Sequence, residues 1–192
     1  MLDCRYLDTG AMYRAVAYAY ARQKPASLDA FLAEVPLRFS FGAVTAILLG
    51  EEEISEGIRH PDISLLASSL SQDGRVRAYL TRIQRGLGEE GGIVVEGRDT
   101  GSVVFPGADI KFYLDAPIEE RARRRYRELA AVNPGEDEGK VREEMEKRDA
   151  ADATRDLAPL IRPVGAFYVD TMGKTIEEVV DLLEGHVRQA RK

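Results

Sequence analysis

The chain has 192 residues, 33 of them acidic and 27 basic, for a net charge of −6, with one cysteine, two histidines and no tryptophan. At 44% apolar and 31% charged residues it has the make-up of a soluble globular protein, long enough for one domain with a real core and a small insert. Cys4 alone cannot form an internal disulfide, no apolar run nears the roughly 18 residues of a membrane helix, and the N-terminus has no signal-peptide core, so a stapled secreted scaffold and a membrane protein are excluded.

The acidic balance argues against a general nucleic-acid binder, and so few histidines and cysteines argue against a His/Cys metal site. Chemistry is left to Arg, Asp, Ser, Thr and the backbone. In chain order, residues 9–23 put Met12, Ala15, Val16, Ala19 and Tyr20 on one helical stripe, with Asp8 and Thr9 as cap candidates. Residues 37–49 alternate: Leu37, Phe39 and Phe41 point one way, Arg38 and Ser40 the other, and a turn at Gly42 leads to the run Thr45 to Leu49, which predicts an antiparallel hairpin. Residues 62–86 predict two helices broken near Gly74.

The second half changes rhythm. Ile93 to Val95, Ile110 to Leu114 and Ala166 to Val169 are apolar runs too short for helices, and helical patterns follow Pro117 and Thr175. Near-continuous apolar strands alternating with helices predict an α/β fold with a parallel sheet covered on both faces. The polar stretch 133–139 predicts a mobile tip between two helices.

Two phosphate-loop lookalikes fail on context. Gly86 to Gly91 spells GxGxxG but precedes a strand, and Glu89 and Glu90 would repel a pyrophosphate. Gly173-Lys174-Thr175 lies between strand and helix, but the position a P-loop needs as its first glycine is Tyr168, so Thr175 with Glu178 predicts a capping box instead. His60, before Pro61, and His186, in the last helix, are expected to be structural or solvated.

Glu96 to Gly101 sits where the Ile93 strand ends, the edge at which open parallel sheets bind ligands. Arg98 offers a fork for a phosphate and Asp99 an acceptor, with a capped turn carrying a surface ion pair as the plainer alternative. Residues 121–127 hold five arginines, with Arg121, Arg124 and Arg125 on one helical face. Such a run is either a solvated face paired with Glu119, Glu120 and Glu128, or part of a closing lid over transferring phosphoryl charge. Arg148, Asp152 and Arg155 recur at spacings that share a helical face.

Taken together, Leu7 to Arg14 (LDTGAMYR), Ile54 to Arg59, Arg75 to Arg77, Glu96 to Pro106 (EGRDTGSVVFP), and Arg148-Asp-x-x-Asp-x-x-Arg155 with Ala158 to Leu160 resemble the bacterial cytidylate kinases, a family of nucleoside-monophosphate kinases, over nearly the whole chain. The resemblance implies a three-layer parallel sheet with helices on both faces, a CMP-binding insert at 35–88, a lid at 120–156, and a single kinase-like domain over 1–192. It implies transfer of the γ-phosphoryl of ATP to CMP or dCMP with Mg²⁺, by a cytoplasmic monomer acting on small nucleotides and on neither nucleic acid nor membrane. Position by position, Thr9, Tyr13 and Arg14 would face the acceptor nucleotide. Ser68, Arg77 and Asp99 would read cytosine, and Asp152 with Arg148 would reach the sugar. Arg98, Arg148 and Arg155 would clamp phosphates, with Arg121 and Arg124 on the ATP side.

One departure is expected to matter. The family pattern opens with a strand, a GxxGxGKGT-type loop and a helix ahead of the LDTGAMYR stretch, and here only Met1 to Tyr6 precede it. Without that loop the β- and γ-phosphates lack a cradle, so the chain as written is expected to be inactive or truncated, its central strand missing. A late-assigned start or a fragment is the favoured explanation. A non-catalytic pyrimidine-nucleotide binder of the same fold, or an acceptor half completed by a partner chain, are the alternatives.

Overall fold

A computed structural model describes residues 4–41, 45–131 and 133–190. The chain divides into two compact units, Met1–Thr100 and Gly101–Lys192. In the first, β1 (Arg5–Asp8) lies parallel to β5 (Ile93–Glu96), with Asp8 opposite Glu96 at the C-terminal ends. Helix α1 (Thr9–Gln23) leaves β1 at once, and its apolar stripe explains why: Met12, Ala15, Val16 and Ala19 are wholly buried. Asp8 caps it by accepting from Ala11 N at 2.8 Å, as the sequence predicts. The helix ends at Lys24, whose φ of 46° closes the last turn on Tyr20 O.

Helix α2 (Leu28–Glu34) starts from Ser27 and presses Phe31 and Leu32 into a core built by Leu7, Met12, Val16, Val76 and Leu80. The expected hairpin is present: β2 (Leu37–Phe41) pairs antiparallel with β3 (Thr45–Leu49), and a two-residue β4 (Glu52–Glu53) extends it. The turn expected at Gly42 lies outside the described residues. Leu37 and Phe39 pack against a second cluster made by Ala15, Ile47, Ile54 and Ile58. Helices α3 (Pro61–Leu70) and α4 (Gly74–Gly88) follow, broken where the sequence places the break. Asp73 caps α4, accepting from Arg75 N at 2.8 Å. Gly91 and Gly92, at φ of 69° and 57°, then turn the chain into β5, a conformation that a side chain there would resist. The Gly86 to Gly91 lookalike is thus helix end and turn, ahead of a strand as read.

In the second unit a wide helical turn (Thr100–Val104) leads to β6 (Phe112–Asp115), which runs parallel to β7 (Phe167–Asp170). Helix α5 (Ile118–Ala130) follows Pro117, and α6 (Glu138–Thr154) is capped by Asp137. The tip expected at 133–139 is therefore shorter, because that cap draws Glu138 and Gly139 into the helix. Helix α7 (Ile176–Ala190) opens on the predicted capping box: Thr175 N donates to Glu178 at 2.8 Å and Glu178 N to Thr175 Oγ1 at 3.2 Å. His186 rests edge-on against Phe167, at 4.5 Å between ring centres. Among the described residues no helix is long and apolar enough to cross a membrane.

The fold is α/β with parallel strand pairs and helices, consistent with the expected kinase-like architecture. Some strand side chains are open: Val94 of β5 and Leu114 of β6 are 49% and 50% exposed. Each of β1, β5, β6 and β7 hydrogen-bonds a single described neighbour within a two-stranded sheet.

Candidate functional site

In the first unit the candidate residues gather where β1 and β5 end, the edge expected of a parallel α/β sheet. Asp8 uses one oxygen to cap α1 and the other, at 3.0 Å, to hold Arg14, two turns into the same helix. Arg14 Nε is buried with no acceptor among the described residues. Thr9 is buried and donates its hydroxyl to the Glu96 carbonyl at 2.8 Å, tying the start of α1 to the end of β5. The Tyr6 phenol, just upstream, is pushed well above its usual range by desolvation and then by its hydrogen bond to the Glu96 carboxylate.

The turn after β5 brings in Asp99, and α4 brings in Arg77. They form an ion pair at 2.5 Å, with Arg77 8% and Asp99 7% exposed. Arg77 also donates to the Ser71 carbonyl at 2.9 Å and lies 5.7 Å over the ring of Tyr13. A buried charge pair of this kind holds both groups in one geometry, and a guanidinium beside a carboxylate presents donors and acceptors on adjacent edges. Tyr13, Arg77 and Asp99 are therefore brought together, with Thr9 and Arg14 carried by the same helix as Tyr13. Arg98 is half-buried in the turn after β5, and Ser68 is exposed on α3, its carbonyl accepting from Ser71 Oγ at 2.8 Å.

The second unit carries the remaining candidates. Arg148 is exposed on α6. Asp152 accepts from Arg155 at 3.1 Å, and Arg155 Nε donates to the Ala158 carbonyl at 2.6 Å. Arg155 stands just past the helix end in extended backbone, with ψ of 142°. That corrects the expectation that it continues the Arg148 face, since the chain turns away to seat Leu160 N on the Asp152 carbonyl at 2.8 Å. Arg121 donates to the Ala116 carbonyl and to Asp149, and Arg124 to Glu120, Thr171 Oγ1 and the Thr171 carbonyl. Arg123 and Arg125 pair with Glu120 and Glu128 as a solvated face, while Arg121 and Arg124 are half-buried and held by the bonds just given.

Sequence reasoning missed the partners that do the orienting: the Ser71 and Glu96 carbonyls, Asp149 and Thr171. Backbone carbonyls leave no trace in residue type. Asp149 alone carried a signal, as the acidic neighbour of Arg148.

Comparison with known proteins gives one consistent result. Residues 1–189 match the family model described as Cytidylate kinase. A cytidylate kinase of Syntrophotalea carbinolica is 44% identical over 181 residues, covering 91% of this chain and 77% of the relative. Those of Geobacter sulfurreducens and Enterococcus faecalis are 40% and 35% identical, each covering at least 97% of the chain and 83% and 86% of their own lengths.

Proposed function

The chain belongs to the cytidylate kinase family, and from that premise we propose that it acts in the transfer of the γ-phosphoryl group of ATP to CMP or dCMP, giving ADP and CDP or dCDP. The observation that carries this reading is the buried Arg77–Asp99 pair beside the Tyr13 ring. Cytosine presents an amino donor next to ring-nitrogen and carbonyl acceptors; Asp99 supplies the matching acceptor and Arg77 the matching donors. Thr9, whose proton is committed to Glu96, faces the acceptor nucleotide from α1 with Tyr13, and Ser68 joins Arg77 and Asp99 in reading cytosine. Arg14, with a buried guanidinium N–H awaiting an acceptor, takes the acceptor phosphate.

Of the second unit's residues, Asp152 and Arg148 serve the sugar, and Arg148 and Arg155 neutralise phosphoryl charge, a role the first unit's Arg98 also takes. Arg121 and Arg124 serve ATP at the foot of a lid spanning residues 120–156, and residues 35–88 form the acceptor insert. Loose phosphoryl transfer needs positioning and charge neutralisation more than a protein base, which suits a site made of arginines. Among the described residues no group of three or more His, Cys, Asp or Glu side chains could hold a metal ion. Mg²⁺ enters this reading with the ATP phosphates, as part of the substrate, and no residue is assigned to it. The protein works in the cytoplasm, as a monomer.

These 192 residues contain no GxxGxGKGT-type loop, the part that cradles the β- and γ-phosphates in phosphoryl transfer. The second reading weighed against the kinase is a non-catalytic pyrimidine-nucleotide binder of this fold. A coupled ADP-release assay and calorimetric titration with CMP and UMP separate the two. Binding of CMP above UMP with a slow, ATP-dependent turnover supports the kinase reading; CMP binding with no turnover supports the binder. Failure to bind CMP at millimolar concentration defeats both.

A further inference from the structure

We infer that Gly97 is a positioning residue of the acceptor site: its missing side chain is the space in which the Thr9 hydroxyl sits. This rests on the cytidylate reading above. Asp8 and Glu96 face each other in register, and directly beyond them the chain becomes helix α1 on one side and the Gly97–Asp99 turn on the other. The two are joined by the Thr9 hydroxyl, which donates to the Glu96 carbonyl at 2.8 Å. A β-carbon at Gly97 would lie 2.2 Å from that same oxygen and 2.8 Å from Thr100 Cγ2, while Thr9 Cβ, at 3.5 Å, would be in ordinary contact. Gly97 has no left-handed φ and the residue as a whole is exposed, so backbone conformation does not call for glycine. Room for the Thr9 hydroxyl is the tightest demand, and the Thr100 methyl is the second.

Two responses to a methyl group at this point are open. Thr9, β-branched and in the first helical turn, can swing its hydroxyl away, giving up the bond to Glu96. Otherwise the turn backs off α1 and carries Asp99, two residues on, out of its 2.5 Å pairing with Arg77. Either way a group that reads the base is displaced: Thr9 on α1 or Asp99 in the turn. Gly97 touches no nucleotide in this arrangement and acts through those two residues.

The test uses four full-length proteins: the parent, Gly97→Ala, Thr9→Ala and the double variant, each titrated with CMP by calorimetry and unfolded in urea. Gly97→Ala is expected to weaken CMP binding at least tenfold in the parent background and at least threefold less than that in the Thr9→Ala background, where the Thr100 methyl still crowds the new side chain but no hydroxyl meets it. Equal losses in both backgrounds, or unchanged CMP affinity in Gly97→Ala, overturn the inference while leaving the cytidylate reading intact. A parent that takes up no CMP at millimolar concentration overturns that reading and this use of Gly97 together. If Gly97→Ala does not fold, a folded double variant supports the clash with Thr9, and a double variant that also fails to fold overturns it.

Discussion

Asp99 and Arg77 show how much a single buried pair fixes. Removing the charge from one partner leaves the other uncompensated in the interior, which costs about 3 kcal/mol or more. Asp99→Asn is therefore expected to lower stability by about 3 kcal/mol in urea unfolding, with loss of CMP binding in the same protein. A stable Asp99→Asn chain that still takes CMP would contradict both roles. The residues of this pair were legible singly, Asp99 from its place after a strand and both from the family resemblance. Their pairing was not, since 22 positions separate them and only the tertiary fold brings α4 to the end of β5.

Asp73 makes the opposite case, a half-buried carboxylate near the surface with a local cause. The Arg75 side chain, and then the Arg75 backbone N–H, hold it down to about 2, from an ordinary 3.8. A depressed folded-state value means that its contribution is present above pH 3.8 and is lost as the pH falls from there toward about 2. Asp73→Asn keeps the helix cap and removes the titration. Its unfolding midpoint should accordingly fall less between pH 4 and pH 2 than that of the parent, and identical slopes would contradict the assignment.

Among the elements, α1 and α6 differ in how their ends are made. The stripe of α1 and its Asp8 cap follow from spacing and residue type alone, so sequence and structure agree to the residue. Helix α6 has the spacing to extend through Arg155, but Asp152 and Arg155 instead tie down the turn beyond it, through the Ala158 carbonyl and Leu160 N. That competition is tertiary and invisible to periodicity. It also separates two substitutions that spacing alone treats as equals. Arg148→Ala, at an exposed position, is expected to lower stability less than Arg155→Ala. Arg155→Ala loses two oriented hydrogen bonds and about 1–2 kcal/mol. In the proposed reaction both cut whatever turnover the coupled assay detects, so paired measurements of rate and thermal unfolding distinguish them. Equal unfolding midpoints would show that Arg155 does not anchor the turn.

For the whole molecule, each described pair of parallel strands stands with apolar side chains open to water: Val94 of β5, and Leu114 and Phe167 of β6 and β7. Parallel strands usually occur in sheets buried on both faces, and unpaired edges with apolar side chains bind what they meet. The 192-residue chain is expected to enhance the fluorescence of an apolar-surface dye under native conditions well above the level of an ordinary folded enzyme. A response no greater than that would show these faces to be covered in solution. The elements here were legible because each short apolar run is bounded by turn residues. Their grouping into separate pairs was not, because a strand's own sequence records that its faces are apolar and not which neighbour covers them.

The capping carboxylate of α1 has one more consequence. Asp8 spends one oxygen on the helix start and the other on Arg14, so the same carboxylate that caps the helix orients the guanidinium and answers part of its charge. In the proposed reaction an acceptor phosphate would therefore meet a cation already oriented by a carboxylate, and that carboxylate would take the guanidinium back once the product leaves.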